Sequence, residues 1–258
     1  MLSPETTTVA GHSKWANIKH KKARMDAKRG KAWSKCSKAL MVAAKQGGPD
    51  PAANLTLRYA IEEAKAANMP KDTIKRAIEK GAGLSGQGAD FEDIRYEGYG
   101  AAGVAIIVDC LTDNRQRTAP DIRSIFAKAG GNLGTSGSVA FNFEHKGVIN
   151  IDASIVEEDR LMELALEAGA ENVESEEGLF TVTTSPEDFL GVKEAVEHAE
   201  IEMESAEVTM IPTVTVEVAG DDVGKILRLV ENLEDNDDVQ KVYTNMEASE
   251  ADIEAASA

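Results

Sequence analysis

The order of hydrophobic and polar positions along the first 80 residues predicts three helices. After a run of good helix formers, the stretch QGGPDP at 46–51 supplies the glycines and prolines that end a helix. Further on, Pro70 and Asp72 occupy the first turn of a helical run that Gly81 terminates. The predicted helices are 21–46, 52–67 and 70–81. The glycine-rich residues 81–90 contain too little apolar surface to pack, which predicts a linker.

Beyond residue 90 the pattern changes to short β-rich runs that alternate with helix-period runs. Strands are predicted near 93–98, 103–111, 138–144, 146–151, 171–176, 179–184, 202–210, 213–218 and 239–245. Helices are predicted near 115–129, 157–168, 186–199 and 221–234. Across 146–210 the order is strand, helix, strand, strand, helix, strand, a complete split-βαβ unit of the ferredoxin-like type. The runs on either side supply two halves of a similar unit, so one domain is expected to interrupt the other.

The predicted fold class is therefore α+β and multi-domain. A three-helix N-terminal domain precedes two ferredoxin-like α/β domains, one inserted in the other. The expected divisions are a flexible extension at 1–10, a helical basic domain at 11–82, a middle α+β domain at 91–144 plus 211–246, an inserted ferredoxin-like domain at 145–210, and an acidic flexible tail at 247–258.

Charge is distributed unevenly along this chain, whose formal net charge is -17. Residues 1–80 carry 17 Lys and Arg against 7 Asp and Glu, whereas the remaining 178 residues carry 11 against 38. An asymmetry of this size is typical of a polyanion-binding segment attached to an acidic, self-repelling body.

The first predicted helix concentrates the positive charge on one face. Spacings of three and four residues place Arg24, Lys28, Lys31, Lys35 and Lys38 in one stripe about 21 Å long, opposite an apolar face. Aromatic and imidazole groups are interleaved with the lysines that precede the stripe, a mixture suited to phosphate and base contacts. The residues predicted to contact nucleic acid are Lys14, Trp15, Lys19, His20, Lys21, Lys22, Arg24, Lys28, Arg29, Lys31, Lys35 and Lys38.

Two alternatives remain open for these cations. They could form an ordinary solvated helix face, or they could dock on the chain's own acidic body. A second cluster, Arg115, Arg117 and Arg123, lies at a predicted strand end and on the helix that follows. These arginines could cap Asp113 and Asp121 locally, or they could form a second contact with a polyanion.

Several motifs argue against catalysis or cofactor binding. The stretch GYGAAG at 98–103 matches a dinucleotide fingerprint but opens a strand instead of a helix, so it is interpreted as a tight turn. The stretch GGNLGTSGS at 130–138 lacks the Gly-Lys-Ser/Thr of a phosphate-binding loop. The histidines show no metal-ligand spacing, and no nucleophile with a base can be assembled. We therefore predict no enzyme activity, no cofactor, no metal and no small-molecule substrate.

Cysteine usage and hydropathy favour a cytoplasmic protein. Cys36 and Cys110 lie in separate predicted elements among core-type residues, which indicates reduced thiols. The longest apolar runs are far shorter than the roughly 20 residues of a membrane span, so no membrane partner is expected. The first ten residues lack Lys and Arg and match no targeting segment.

Four stretches together resemble one protein family. They are AGHSKWANIKHKKARMDAKRGK, GGPDPAANLTLRYAIEEAKAANMPKDTIKRAIEKG, YEGYGAAGVAIIVDCLTDNRQRTAPDIR and GGNLGTSGSVAFNFEHKGVI. In this order they resemble the YebC/PmpR family, whose mitochondrial relatives are translational activators of a cytochrome oxidase subunit. The resemblance extends from about Ala10 to about Met246 and implies a three-domain crescent and a cytoplasmic, non-enzymatic regulator of gene expression.

Family members are described both as DNA-binding transcriptional regulators and as ribosome-associated factors that assist translation through proline runs. The first description predicts that the basic helix follows the phosphates of duplex DNA, although no helix-turn-helix, zinc-finger or ribbon signature specifies bases. The second predicts contacts with ribosomal RNA, which the interleaved tryptophan and histidines suit. A third hypothesis is an adaptor whose acidic domains bind a basic protein. In that case charge reversal at Lys28, Lys31 and Lys35 would leave function intact.

Overall fold

The structure of the protein is a computed structural model that describes residues 29–84, 90–176 and 178–257. Outside these ranges lie the predicted extension at 1–10, residues 11–28 of the basic segment, and residues 85–89 of the linker predicted at 81–90.

The described residues belong to two compact units. One is Phe143–Val214, and the other contains the described residues up to Asn142 and from Thr215 onward. In chain order the elements are α1 (Arg29–Gly47), α2 (Leu55–Ala66), α3 (Lys71–Gly81), β1 (Glu92–Tyr99), β2 (Ala105–Thr112), α4 (Arg115–Lys128), β3 (Asn132–Leu133), β4 (Phe143–Asp152), α5 (Glu158–Glu167), β5 (Ala170–Glu176), β6 (Leu179–Thr184), α6 (Phe189–His198), β7 (Ser205–Pro212), β8 (Val216–Glu217), α7 (Asp221–Glu234), β9 (Val239–Thr244), β10 (Met246–Glu247) and α8 (Glu250–Ser257).

Helices α1, α2 and α3 pack around one apolar core that includes Leu40, Leu57 and Ile74. Asn54 joins the first two helices. Its side-chain oxygen accepts the Leu57 amide at 3.0 Å and caps α2, while its amide nitrogen donates to the carbonyl of Ala43 at 2.8 Å. The predicted helical beginning of the chain is confirmed over the described residues.

Glycine at position 81 allows α1 and α3 to approach closely. A Cβ atom on Gly81 would lie 2.2 Å from the carbonyl oxygen of Met41, a distance that no real Cβ contact shows. The residue that ends the third helix is therefore also the one that lets the helix touch its neighbour.

The larger unit contains a four-stranded antiparallel sheet with the order β3-β1-β2-β9. Strand β2 is buried along nearly its whole length, as its sequence AIIVDCLT predicts for a central strand. Helices α4 and α7 pack against this sheet and against each other. The connection between β1 and β2 is a short turn in which Ala102 and Gly103 have positive φ angles of 54° and 77°. The stretch 98–103 is thus the tight turn that its context predicts.

The smaller unit is a ferredoxin-like sheet. Its antiparallel strands have the order β5-β6-β4-β7, and α5 and α6 connect them in the predicted sequence of elements. The α+β fold class and this element order are confirmed.

Two predictions about strands differ from the structure. The strands expected at 138–144 and 146–151 are one strand, β4, which begins only at Phe143 because the preceding residues form a loop around the Glu97 carboxylate. The strand expected at 213–218 is reduced to Val216–Glu217. It pairs in parallel with β10 in a small separate sheet.

The acidic tail expected to be flexible at 247–258 contains helix α8. Ser249 and Asp252 form a hydrogen-bonded cap at its start, and the Asp252 carboxylate accepts the backbone amide of Gly220 at 3.1 Å. Ile253 is 3% exposed. One buried side chain and one cap therefore order a segment whose composition alone suggests disorder.

Among the described residues, no helix is both long enough and apolar enough to cross a membrane. Cys36 and Cys110 are both free thiols.

Candidate nucleic-acid interface

The structure describes only part of the predicted basic surface. Lys14, Trp15, Lys19, His20, Lys21, Lys22, Arg24 and Lys28 lie outside the described residues, and Arg29 is the first described residue of α1. Lys31, Lys35 and Lys38 follow on the same helix and are described in full.

These three lysines bind the C-terminal end of α7 and the loop after it. The Lys31 ammonium donates to the backbone carbonyl of Asp235 and lies 3.2 Å from its carboxylate. Lys35 donates to the carbonyl of Glu234 at 2.9 Å, and Lys38 to the carbonyl of Asp237 at 2.8 Å. The last carbonyls of a helix have no partner within it and form the negative end of its dipole, so ammonium groups are favourable there. The described part of the stripe, Lys31, Lys35 and Lys38, is therefore docked on the chain's own acidic body, which is one of the two alternatives considered for it.

Asp238 is the buried centre of this contact. One of its carboxylate oxygens lies 3.2 Å from the Lys38 ammonium. The other accepts hydrogen bonds from Arg117 at 2.7 Å and from the hydroxyls of Thr118 and Thr112 at 2.8 and 3.1 Å. Burial alone would raise the pKa of Asp238, but the hydrogen bonds from Arg117, Thr118 and Lys38 outweigh it and lower the pKa. A single ionised carboxylate thus joins α1, α4 and the start of β9.

The arginine cluster divides into two kinds. Arg117 is bound by Asp238 and also by Asp113 at 3.1 Å, which is the local capping role considered for it. Arg115 and Arg123 are exposed, and neither forms an ion pair with any residue in the described ranges. Asp121 therefore caps neither of them.

The glycine-rich loop after β3 is occupied from within. The buried carboxylate of Glu97 accepts the backbone amides of Gly137, Val139 and Ala140 at 2.7, 2.8 and 2.9 Å. Burial acts to raise the pKa of Glu97, yet these three amides lower it below its ordinary value. The backbone amides of this loop that point inward already bind a carboxylate and are not available to a phosphate.

A cationic cleft that the sequence analysis missed lies between α4 and α7. Lys128, Lys225, Arg228 and Asn232 line it, together with alanine, isoleucine and glycine residues. Its volume is about 610 Å³. The spacing of Lys225, Arg228 and Asn232 on one helix face was available as a sequence signal, but Lys128 joins them only through the tertiary fold.

Within the described ranges, no group of three or more His, Cys, Asp or Glu side chains is placed to hold a metal ion.

Comparison with known proteins identifies two family-model matches that together span most of the chain. A model described as the TACO1/YebC protein N-terminal domain matches residues 13–84, and one described as the TACO1/YebC second and third domain matches residues 91–246.

Curated relatives and a solved structure agree with these matches. A probable transcriptional regulatory protein of Natranaerobius thermophilus is 52% identical over 249 residues, covering 95% of this chain and 99% of the relative. One from Cupriavidus necator is 56% identical over 238 residues, covering 92% and 98%. The crystal structure of a conserved hypothetical protein from Aquifex aeolicus is 46% identical with a TM-score of 0.79, covering 92% of this chain and 98% of that one.

Proposed function

Because this chain belongs to the TACO1/YebC family, we propose that it is a non-enzymatic regulator of gene expression that binds DNA through its basic N-terminal segment. Its relatives carry the name probable transcriptional regulatory protein, which supports a role in transcription. The concentration of cations before the described part of α1 is the observation that carries the DNA contact.

Residues 14–29 contain seven Lys and Arg against one acid, Asp26. Lys31, Lys35 and Lys38 of α1 already have oxygen partners at the end of α7 and in the loop after it, so the chain uses them internally. The cations proposed to contact phosphates are therefore the preceding ones: Lys14, Lys19, Lys21, Lys22, Arg24, Lys28 and Arg29.

The acidic charge of the inserted unit restricts where a polyanion can approach. Phe143–Val214 contains 19 Asp and Glu against 3 Lys and Arg. Like charges repel DNA from such a surface, and this limits binding to the parts of the chain where cations predominate.

A salt-dependent binding measurement tests the proposal. Fluorescence anisotropy with a labelled 30-base-pair DNA duplex would compare the wild type with the Lys21→Glu/Lys22→Glu/Arg24→Glu variant. Each phosphate contact adds about 0.9 to the slope of log affinity against log salt, so three lost contacts should lower the affinity roughly 500-fold at 0.1 M salt.

Arg58→Glu/Lys71→Glu/Lys80→Glu is the matched control. These exposed residues of α2 and α3 make no ion pair within the described ranges, and the variant changes the net charge equally. If both variants lost affinity equally, net charge and not the basic segment would govern binding. If the first variant bound like the wild type, the proposed contact would be wrong.

Ribosomal RNA is a second candidate target, favoured by Trp15 and His20 among the lysines. Aromatic side chains that alternate with cations suit unpaired bases better than they suit a duplex. Sedimentation of lysate through a sucrose gradient, with wild type and the Lys21→Glu/Lys22→Glu/Arg24→Glu variant side by side, distinguishes the two. Travel of the wild type alone with ribosomal particles would favour this target over DNA.

A further inference from the structure

The Lys and Arg residues of 90–142 and 215–257, the part of the larger unit that contains its four-stranded sheet, differ in whether they have acidic partners. Four of these eight are paired with carboxylates: Arg95 with Asp109, Arg117 with Asp238, Lys225 with Asp222, and Lys241 with Glu63. Within the described ranges, the other four form no ion pair: Arg115, Arg123, Lys128 and Arg228. All four lie on α4 and α7, so the unneutralised positive charge of this part is confined to its helical layer.

Two of the unpaired cations face one another across the α4/α7 cleft. Lys128 lies in the last turn of α4, and Arg228 lies in the middle of α7, beside Lys225 and Asn232. None of the described lining residues carries a carboxylate. In a chain with a net charge of -17, two unpaired cations in one cleft, beside Lys225 whose ammonium is paired with Asp222 at 2.7 Å, are a local concentration of positive charge.

The last carbonyls of α4 are hydrogen-bonded to the turn that follows the helix. Three of its last carbonyls accept backbone amides of the following turn, from Ala129 to Ile125 at 3.2 Å, from Gly130 to Ala127 at 3.2 Å and from Gly131 to Phe126 at 2.9 Å. These carbonyl oxygens already have donors, so they are not the partners of the Lys128 ammonium.

The arrangement on α7 matches a linear polyanion. Lys225, Arg228 and Asn232 follow one another at intervals of three and four residues, so they share one helix face over about 10 Å. Lys225 is paired with Asp222, and the Asn232 amide donates to the Arg228 carbonyl at 2.7 Å, which leaves the Arg228 guanidinium as the unpaired cation of this face. One DNA strand presents one phosphate per nucleotide, and a stretch of this length along the strand reaches about two of them. Arg228 can donate two parallel hydrogen bonds to one phosphate.

The polar side chains that line the cleft reach solvent, so they are accessible to a polymer that passes across the surface. Here Lys128, Lys225, Arg228 and Asn232 are all exposed.

We propose that the α4/α7 cleft is a second DNA-contact site, in which Lys128 and Arg228 bind the sugar-phosphate backbone of the duplex held by the basic segment. This inference rests on the proposed function for the choice of DNA as the occupant. It adds a contact made by the α+β body.

The test is the Lys128→Gln/Arg228→Gln variant, measured by anisotropy on the labelled 30-base-pair DNA duplex across a series of salt concentrations. Loss of two phosphate contacts should lower the salt slope by about 1.8 and the affinity roughly 60-fold at 0.1 M salt. The Arg58→Gln/Arg160→Gln variant removes the same charge from exposed positions on α2 and α5 and should bind like the wild type. Thermal unfolding of each variant should match the wild type, because the replaced side chains are exposed and unpaired.

The possible results separate this proposal from the previous one. An unchanged slope and affinity for Lys128→Gln/Arg228→Gln would overturn the cleft. A weakened cleft variant beside an unaffected Lys21→Glu/Lys22→Glu/Arg24→Glu variant would support the cleft and reject the basic segment. A wild type that binds no DNA would reject both. A cleft variant that is impaired only on an RNA duplex of the same sequence would overturn DNA as the occupant.

Discussion

Two groups of cations in the same compact unit differ in what they contact. The lysines of α1 donate to the carbonyls and carboxylates that follow α7, whereas Lys128 and Arg228 of the α4/α7 cleft form no ion pair within the described ranges. In the sequence only the first group forms a regular pattern, because its lysines recur at intervals of three and four residues. A regular basic stripe therefore shows that charge is concentrated, but the partner of that charge is decided by the tertiary fold.

Substitution of the two groups of cations should have opposite effects on stability and on DNA binding. Removing the contacts of Lys35 and Lys38 should reduce the stability of the fold, because Lys35 donates to the half-buried Glu234 carbonyl and Lys38 pairs with the buried Asp238. Removing the cleft cations should reduce binding and leave stability unchanged.

The largest expected loss of stability follows from replacing Asp238, the shared partner of Lys38 and Arg117. Asp238→Ala should lower the free energy of unfolding by about 4 kcal/mol, because it leaves two cations and two threonine hydroxyls without their acceptor. Urea denaturation measures this directly. The exposed neighbour Asp237 is the control, since Asp237→Ala should change stability by less than about 0.5 kcal/mol.

The pH dependence follows from the same carboxylate. Because the pKa of Asp238 is lowered in the folded state, its stabilisation is present above the unfolded value of about 3.9 and is lost as the pH falls through the folded value. The difference in stability between wild type and Asp238→Asn should therefore shrink below about pH 4. A difference in stability that stayed constant down to pH 2 would contradict an ionised Asp238 carboxylate in the folded protein.

The second largest loss of stability is expected from replacing Glu97, whose carboxylate accepts three backbone amides of the loop before β4. Glu97→Ala should lower the free energy of unfolding by about 3 kcal/mol, because three backbone amides lose their acceptor. Glu92→Ala, an exposed change on the same strand, should have little effect. Equal losses in the two variants, measured by urea denaturation, would show that the amides find water instead.

A smaller effect tests the comparison directly by exchanging one cation from each group for a side chain of similar length. Lys35→Met should lower the free energy of unfolding by about 1.5 kcal/mol, because a partly buried charge-assisted hydrogen bond is lost, and should leave DNA affinity within about twofold. Arg228→Met should leave stability within about 0.5 kcal/mol and weaken DNA binding. If Lys35→Met weakened DNA binding and left stability intact, the α1 stripe would be a phosphate contact as its spacing suggests.

The extent to which sequence predicts this protein depends on the separation of the interacting residues. Pro70 and Gly81 mark the ends of α3 locally, and the alternating runs of the inserted unit give its strand order. Residues 134–142 could not be assigned, because the Glu97 that binds their amides lies about 40 residues earlier. The predicted strand in that segment was wrong for this reason.

The candidate sites were predicted only in part for the same reason. Lys31 and Asp235 are separated by 204 residues, so the stripe was recognisable but its partner was not. Lys128 and Arg228 are separated by the inserted unit, and neither stands in a locally basic motif. Long-range neutralisation and long-range clustering are properties of the folded chain, which composition and periodicity do not contain.

The smallest expected effect is the reactivity of Cys36, which reports whether α1 remains on its partner. Burial and the Glu63 carboxylate raise the pKa of the Cys36 thiol to about 11, and burial raises that of Cys110 to about 12. At pH 8 only about one Cys36 thiol in a thousand would be ionised, so labelling by a disulfide reagent should be slow until the protein unfolds. Addition of DNA should leave this rate unchanged if the α1 lysines keep their contacts with α7. Faster labelling of Cys36 with DNA present, and not of Cys110, would show that α1 leaves the acidic loop to bind phosphate, and the two groups of cations would then share one role.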